Sequence, residues 1–285
     1  MDVSIILPVH NNENTIKRTM ESVLNQITNH DELIVVINGS TDRSEEIVMC
    51  YAGDPRVRIQ HSSTGRSRAR NKGLLSAKGR FINFLDADDT MTPQHIIRAK
   101  QFLIANVDYY AYTDETMIVN KNEKYISIQY THETNTCYLK YNNIFEIGAV
   151  MFRNKSIVMF IDELEYNEDY VFWIENLMNR KVYFNPNFVG VHKFIDGNNT
   201  MIKYKKEMIA TQIIVSAILK KKNIRTNSLG TIELLKKELK FLLVESSKNE
   251  KLFEIVNKQY SRTMILARMI LKIPVINKIV IRHYL

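Results

Sequence analysis

Three carboxylates stand within four residues at Asp86-Ala87-Asp88-Asp89, directly after the apolar run Phe81 to Leu85. Hard oxygen donors at this spacing suit Mg²⁺ or Mn²⁺. An ion held there would bridge the protein to a diphosphate and neutralise the charge developing on it. Alternate residues of an extended segment point to opposite sides. Asp86 and Asp88 therefore share a ligand only if the chain curls after the strand. The competing account is an acidic turn that caps the next helix. Thr92-Pro93 already reads as an N-cap followed by a first helical proline, which weakens that account.

The elements that must position this turn alternate between strand and helix. Val3 to Val9 is a continuous β-rich run, as expected of a strand covered on both faces. Ile16, Met20, Val23, Leu24 and Ile27 fall on one helical face, with Asn14 or Thr15 as cap. Leu33 to Ile37 is a second strand, and Asn38 to Asp42 is a turn leading into a helix. Val57 to Gln60 is a third strand, and Ser67 to Lys78 is a helix stopped by Gly79. Phe81 to Leu85 is the next strand, Thr92 to about Ala105 a helix, and Val107 to Tyr112 a fifth strand. This order predicts an α/β fold, a Rossmann-like mostly parallel sheet flanked by helices. Ligands bind such sheets beyond the carboxyl ends of the strands, where His10, Asn38 and Asp86 fall. Residues 116–202 carry short β-like pieces and one helix, Asn167 to Arg180. From about residue 203 to 285 the pattern is helical and Lys-rich, a C-terminal helical extension.

Bulk properties narrow the partners. The formal net charge of +8 favours an anionic partner: a nucleotide diphosphate, a nucleic acid or an acidic membrane. Basic residues interleaved with aromatics are not found, nor is a nucleic-acid motif, so no nucleic acid is expected. Cys50 and Cys137 form neither a disulfide framework nor a metal-ligand pattern, and reduced thiols predict a cytoplasmic protein. The run Val3 to Val9 lacks a basic flank and is too short for a membrane span or signal peptide.

The ordered motifs resemble those of the inverting glycosyltransferases of family 2, which have the GT-A fold. Val3-Ser-Ile-Ile-Leu-Pro-Val-His-Asn-Asn-Glu13 is similar to the opening strand and first loop, and Glu21 to Gln26 to the end of the first helix. Asn38-Gly-Ser-Thr-Asp42 is similar to the second loop. Ala69-Arg-Asn-Lys-Gly73 and Lys78-Gly79 lead, as in the family, into Phe81 to Asp89. Asn167-Glu-Asp-Tyr-Val-Phe-Trp173 is similar to the family's acidic catalytic motif. The resemblance covers roughly residues 2–195, and five motifs in order are specific where one alone is not. It implies a catalytic region over 1–202, with a nucleotide-sugar-binding half to 115 and an acceptor-binding half to 202.

The resemblance also implies roles. Pro8, Val9, His10, Glu13, Asn38, Arg70, Asp86, Ala87 and Asp88 would bind the nucleotide-sugar, with Val9, His10 and Glu13 around the base and ribose. Asp86 would contact sugar or ribose, and Asp88 would hold Mn²⁺ or Mg²⁺ at the diphosphate. Asp169 would be the general base, since an acceptor hydroxyl needs a group to take its proton in the transition state. Its competing role is to favour the dipole of the helix it opens. His192 would be a further metal ligand, against the simpler reading of a surface or core histidine. Many relatives carry Asp-Asp-Gly-Ser in the second loop where this chain has Ile37-Asn38-Gly39-Ser40. Asn38 still accepts a hydrogen bond through its amide oxygen, so a UDP-sugar remains the expected donor. Arg66 and Arg68 fall outside the motif and are expected to be solvated. Asn198-Asn199-Thr200 is a polar loop that would close over the donor.

After Glu254 the chain carries Lys258, Arg262, Arg268, Lys272, Lys278 and Arg282 with no acidic residue among them, interleaved with apolar clusters. Two readings stand for residues 255–285: a basic amphipathic helix on an anionic membrane, or packing against the catalytic region or a second subunit in a homo-oligomer. The first would make the protein peripheral on the inner face of the cell membrane. The expected activity is sugar transfer to a hydroxyl of a cell-surface glycan or lipid-linked acceptor. The rivals are a non-catalytic nucleotide-sugar-binding partner subunit and a membrane-surface scaffold.

Overall fold

The computed structural model describes residues 1–120, 124–128, 135–195, 204–224, 231–244 and 250–274. Strands β1 (Val3–Val9), β2 (Glu32–Ile37), β3 (Val57–His61) and β4 (Phe81–Phe84) lie parallel in the order β3-β2-β1-β4. The helices between them are α1 (Ile16–Leu24), α2 (Ser44–Met49) and α3 (Arg66–Ser76). β5 (Thr90–Met91) and α4 (His95–Ala105) follow, then β6 (Ala111–Val119), β7 (Lys124–Ile128) and β8 (Val150–Arg153). α5 (Glu168–Leu177) precedes the long β9 (Val182–Phe194). The sheet continues from β4 through β8, β6 and β9 to β5, with β7 on β6. The expected mostly parallel sheet is thus parallel in its first half and mixed in its second, where β8 runs antiparallel to β4 and β6.

Alternation along β1 feeds two cores. Val3, Ile5, Leu7 and Val9 face α1 and α4, and Ile6 faces the opposite layer. That opposite layer includes Phe84, Phe152, Phe172 and Trp173, whose rings meet edge-on or tilted. It also takes in Ile213, Phe241, Val256 and Met264 of the C-terminal helices α6 (Lys205–Lys221), α7 (Thr231–Val244) and α8 (Glu250–Leu271). The extension is therefore bonded to the sheet layer by shared apolar burial, and one branch of the two readings for its last helix, packing against the catalytic region, is realised on one face.

Several local expectations shift. Thr15 does not cap α1, because its hydroxyl donates to the Ala87 carbonyl (2.8 Å). α4 starts at His95, with Gln94 in the left-handed region (φ 72°), because the Thr92 hydroxyl donates to the Val189 carbonyl (2.6 Å) across to β9. The fifth strand begins at Ala111, not Val107, and runs to Val119 through the buried polar residues Thr113, Asp114, Glu115 and Thr116. Asp114 is satisfied at long range by His95 (2.7 Å) and Asn185 (2.6 Å) and locally by the Tyr112 hydroxyl (2.6 Å). Cys50 and Cys137 are free and exposed. Among the described residues, no helix is long and apolar enough to cross a membrane.

Candidate active site

The carboxyl ends of β1, β2 and β4 open into three loops that make one rim. The first two are laced together. Asn38 N donates to the Val9 carbonyl (2.8 Å), and His10 Nδ1 donates to the Asn38 carbonyl (2.7 Å). Asn12 N donates to Ser44 Oγ (2.7 Å), Glu13 N to Asp42 Oδ2 (3.0 Å), and Arg43 N to Glu13 Oε2 (3.1 Å). Gly39 makes the turn at φ 65°, a left-handed conformation that costs glycine nothing sterically. Inside this rim Asn38 is buried, and its Oδ1 has no hydrogen-bond partner. A buried acceptor left unsatisfied costs about 1–3 kcal/mol, so the position calls for a donor from a ligand.

The side chains of Pro8, Val9 and Ala87 are buried in the sheet and its core, so these three residues shape the rim through their backbone. The Val9 carbonyl accepts from the Ser40 hydroxyl (3.3 Å), and the Ala87 carbonyl accepts from the hydroxyls of Thr15 and Thr19 (3.0 Å for Thr19). His10 and Glu13 stand exposed on the rim.

The turn after β4 does curl. Asp89 N donates to the Asp86 carbonyl (3.1 Å), and Arg18 Nη2 donates to the Asp88 carbonyl (2.8 Å). Asp86 Oδ1 accepts from Arg70 Nη2 (2.7 Å), while Arg70 Nη1 donates to Glu168 Oε1 (2.9 Å). Arg70 is only 1% exposed. One guanidinium on α3 thus ties the β4 turn to the first turn of α5, which is where the chain holds Asp169. Burial alone would push the Asp86 carboxyl up, but Arg70 and Arg66 outweigh it and hold Asp86 below the usual range.

Asp169 sits among different neighbours. Its Oδ2 accepts from Asn143 Nδ2 (2.9 Å) and its Oδ1 from Tyr170 N (2.8 Å). Burial, and then the charge of Glu168, push its carboxyl up to about 6, with Arg70 working against them. A carboxylate poised there takes a proton efficiently near neutral pH.

Asp88 and Asp89 are raised as well, by burial first and then by neighbouring carboxylates: Asp86 for Asp88, and both Asp88 and Asp86 for Asp89. Carboxylate oxygens are the kind of donor that Mg²⁺ or Mn²⁺ takes, and a cation beside Asp88 would offset the charge of Asp86. Mg²⁺ is commonly bound through one or two carboxylates with substrate phosphates completing its shell. Among the described residues, no group of three or more His, Cys, Asp or Glu side chains forms a metal cluster. His192 pairs with Thr90 on the β5–β9 ladder, two residues along from Asp88.

Five side chains belong to the candidate site beyond those expected: Lys193, Glu146, Arg66, Glu168 and Asn143. Lys193, next to His192, donates through Nζ to Glu146 Oε2 (2.6 Å). Burial opposes its charge, but Glu146, Asp89 and Asp86 together hold the ammonium more firmly protonated than usual. Arg66, expected to be solvated, is 41% exposed yet brings its guanidinium 3.4 Å from Glu168. Glu168 itself is buried as the shared acceptor of Arg70 and Arg66. The parity of β9 was the available sign for Lys193, since it falls on the same side as the buried Val191. Glu146 and Asn143 lie in a stretch with no motif and gave no sign. Asn198-Asn199-Thr200 lies outside the described residues.

Beside α5, a recess of about 310 Å³ is lined by Asn135, Cys137, Tyr138, Lys140 and Tyr141. The Tyr170 hydroxyl donates to the Leu139 carbonyl (2.8 Å) and fixes this short 3₁₀ turn against α5.

Comparison with known proteins identifies the family and the fold. The model of the family described as "Glycosyl transferase family 2" matches residues 4–161, more than half of the chain. The chain is 40% identical over 93 residues to the uncharacterized glycosyltransferase YibD of Escherichia coli. That alignment covers 32% of this chain but only 27% of the relative. It is 30% identical over 182 residues to an uncharacterized glycosyltransferase of Haemophilus influenzae, covering 63% of this chain and 73% of that one. Among solved structures, S. aureus TarS 1-349 in complex with UDP-GlcNAc superposes with a TM-score of 0.65, covering 94% of this chain and 88% of TarS. At 18% identity this likeness concerns the fold.

Proposed function

The chain belongs to glycosyl transferase family 2, and from that premise we propose that it is a metal-dependent, inverting enzyme acting on a UDP-sugar. The sugar passes to a hydroxyl of a cell-surface glycan or lipid-linked acceptor. The observation that carries this reading is the Arg70 bridge, which ties Asp86 to the Glu168-Asp169 turn.

Each part then has a task. The rim of His10, Glu13 and Asn38 receives the nucleotide, and the unpartnered Asn38 Oδ1 accepts the ring N–H of a uracil. Asp86, held ionised by Arg70, accepts hydroxyl hydrogen bonds from ribose or sugar. Asp88, with His192, would hold Mn²⁺ or Mg²⁺, which would supply positive charge for the departing diphosphate. Lys193 adds a fixed cation beside the same carboxylates. Asp169 takes the proton of the acceptor hydroxyl, whose oxygen attacks the anomeric carbon from the side opposite the diphosphate. The configuration is inverted as the C–O bond to the diphosphate breaks. The likeness to a TarS structure holding UDP-GlcNAc supports a hexosyl or N-acetylhexosaminyl donor. Tyr138 and Tyr141, exposed at the recess beside α5, offer ring faces to an acceptor sugar.

The test is turnover of UDP-sugars with Mn²⁺ or Mg²⁺ by the wild type and by Asp169→Asn. Loss of transfer with retained donor binding is expected. Undiminished transfer removes Asp169 as the base. Tight donor binding by the wild type without transfer to any acceptor would favour the partner-subunit reading instead.

A further inference from the structure

Helix α8 has two apolar faces, and only one of them is used inside the protein. Leu252, Val256, Met264 and Ala267 are buried against the preceding helices. Thr263 Oγ1 donates to Glu238 Oε1 of α7 (2.5 Å), and Lys220 of α6 lies 4.3 Å from the Tyr260 ring centroid, so this face is pinned from both sides. On the opposite side Ile265, Leu266, Met269 and Ile273 are exposed, Met269 and Ile265 by 60% and 58%. The spacing of Ile265, Leu266 and Met269 keeps these three on one stripe, about half a turn from Met264 and Ala267, and Ile273 follows two residues past the helix end. Arg262 lies in the stripe and Arg268 on its flank, Lys272 follows just past the helix end, and Lys258 stands before a kink at Tyr260 (φ −133°). All four are at least partly exposed, and Arg268 keeps its guanidinium over the Phe253 ring (4.1 Å).

We propose that this outer face of α8 docks the protein on an anionic lipid surface, lying in the interface with Ile265, Leu266, Met269 and Ile273 among the acyl chains. Long apolar side chains beside lysine and arginine, with the opposite face held by the protein, are what such a surface recognises. Charge selects the occupant. From residue 255 to 285 the chain has six Lys and Arg and no acidic residue, so a second copy meeting this face about a twofold axis would set cation against cation. Four side chains also fall well short of the roughly 800 Å² per partner of a standard protein interface. The inference stands apart from the catalytic reading, since none of these residues touches the carboxylate cluster.

The experiment is flotation of the full chain with vesicles of phosphatidylcholine alone and with about one third phosphatidylglycerol, at low and high salt. Strong binding to the anionic vesicles only, weakened by salt, is expected. Arg262→Glu and Lys272→Glu each lower the partition about fivefold or more, by the roughly 1 kcal/mol that a basic residue contributes near an anionic surface. Ile265→Asp combined with Met269→Asp abolishes it while thermal unfolding and UDP-sugar turnover stay unchanged. Equal binding of the double variant, equal binding to neutral vesicles, or no vesicle binding by the wild type overturns the proposal. A dimer by light scattering that the double variant converts to monomer, without lipid binding, assigns the face to a second copy and overturns it equally.

Discussion

Replacing Asp169 by Asn should abolish transfer and stabilise the fold, because the burial that suits the carboxylate to its task also strains it. In the folded chain its pKa stands at about 6 against an ordinary 3.8. Each unit of that difference is worth about 1.4 kcal/mol, so holding Asp169 ionised costs about 3 kcal/mol. The pH window follows from the direction of the shift. Below the ordinary value both folded and unfolded chains carry the proton and nothing is lost. Between there and about 6 the unfolded chain ionises first, and the loss grows until both are ionised. Asn escapes this loss but retains one acceptor oxygen where the carboxylate has two. It therefore forfeits either the bond from Asn143 or that from Tyr170, at about 1 kcal/mol. The net gain is about 2 kcal/mol at pH 8, a rise of roughly 5 °C in melting temperature for a chain of this size. Near pH 4 the gain vanishes, and the lost hydrogen bond leaves the variant slightly weaker. Thermal melts of both proteins from pH 4 to 8 measure this. A variant weaker than the wild type at pH 8, or a difference that does not change with pH, refutes the reasoning.

Other perturbations of the same cluster have distinct signatures. With Asp169 as base, kcat/KM should fall about tenfold per pH unit below about 6, and Glu168→Gln should move that limb to lower pH by removing a repelling charge, as pH–rate profiles would reveal. Arg70→Met leaves Asp86 and Glu168 facing each other without their shared cation, so urea unfolding should show a loss of about 3–5 kcal/mol. Asp88→Asn should weaken UDP-sugar binding at least tenfold in Mn²⁺ and leave metal-free binding little changed, measured by calorimetry; equal loss in both would remove Asp88 as a metal ligand. Tyr138→Ala should raise the acceptor KM several-fold without altering the donor KM, a split that steady-state kinetics resolves.

What could be read from the residues depended on whether the physics was local. β1 and β2 were legible because strands covered on both faces must be apolar throughout. The start of β6 was not, because Tyr109 and Tyr110 have strong strand propensity but lie ahead of the strand, while Thr113 to Thr116 read as polar yet are buried. The partners that make their burial tolerable, His95 and Asn185 for Asp114, lie 19 and 71 residues away. Thr92-Pro93 failed in the same way: its capping chemistry was sound, but the hydroxyl found a carbonyl on β9. In the site, the motifs carried Asp86, Asp88 and Asp169, while Arg70 was placed near the nucleotide and is observed as a buried strut between carboxylates. Its partner Glu168 lies 98 residues away, a distance over which no periodicity speaks.

The C-terminal helices bear on the chemistry more than their position at the end of the chain suggests. Asn167, in the left-handed region at φ 59°, immediately precedes α5, and its Nδ2 donates to the Met208 carbonyl (2.8 Å) and to Thr211 Oγ1 (2.7 Å) on α6. A non-glycine residue in that conformation needs its surroundings to hold it there. Glu168 and Asp169 follow directly, so α6 sets the turn from which both carboxylates project. α6 is in turn packed on α7 and α8, and Lys251 of α8 pairs with Glu163 (2.9 Å) a few residues before that turn. Deleting the helices to test membrane docking would therefore also release the start of α5 and confound the two readings. Point changes on the exposed stripe leave the Asn167 contacts intact, and only they can separate docking from catalysis.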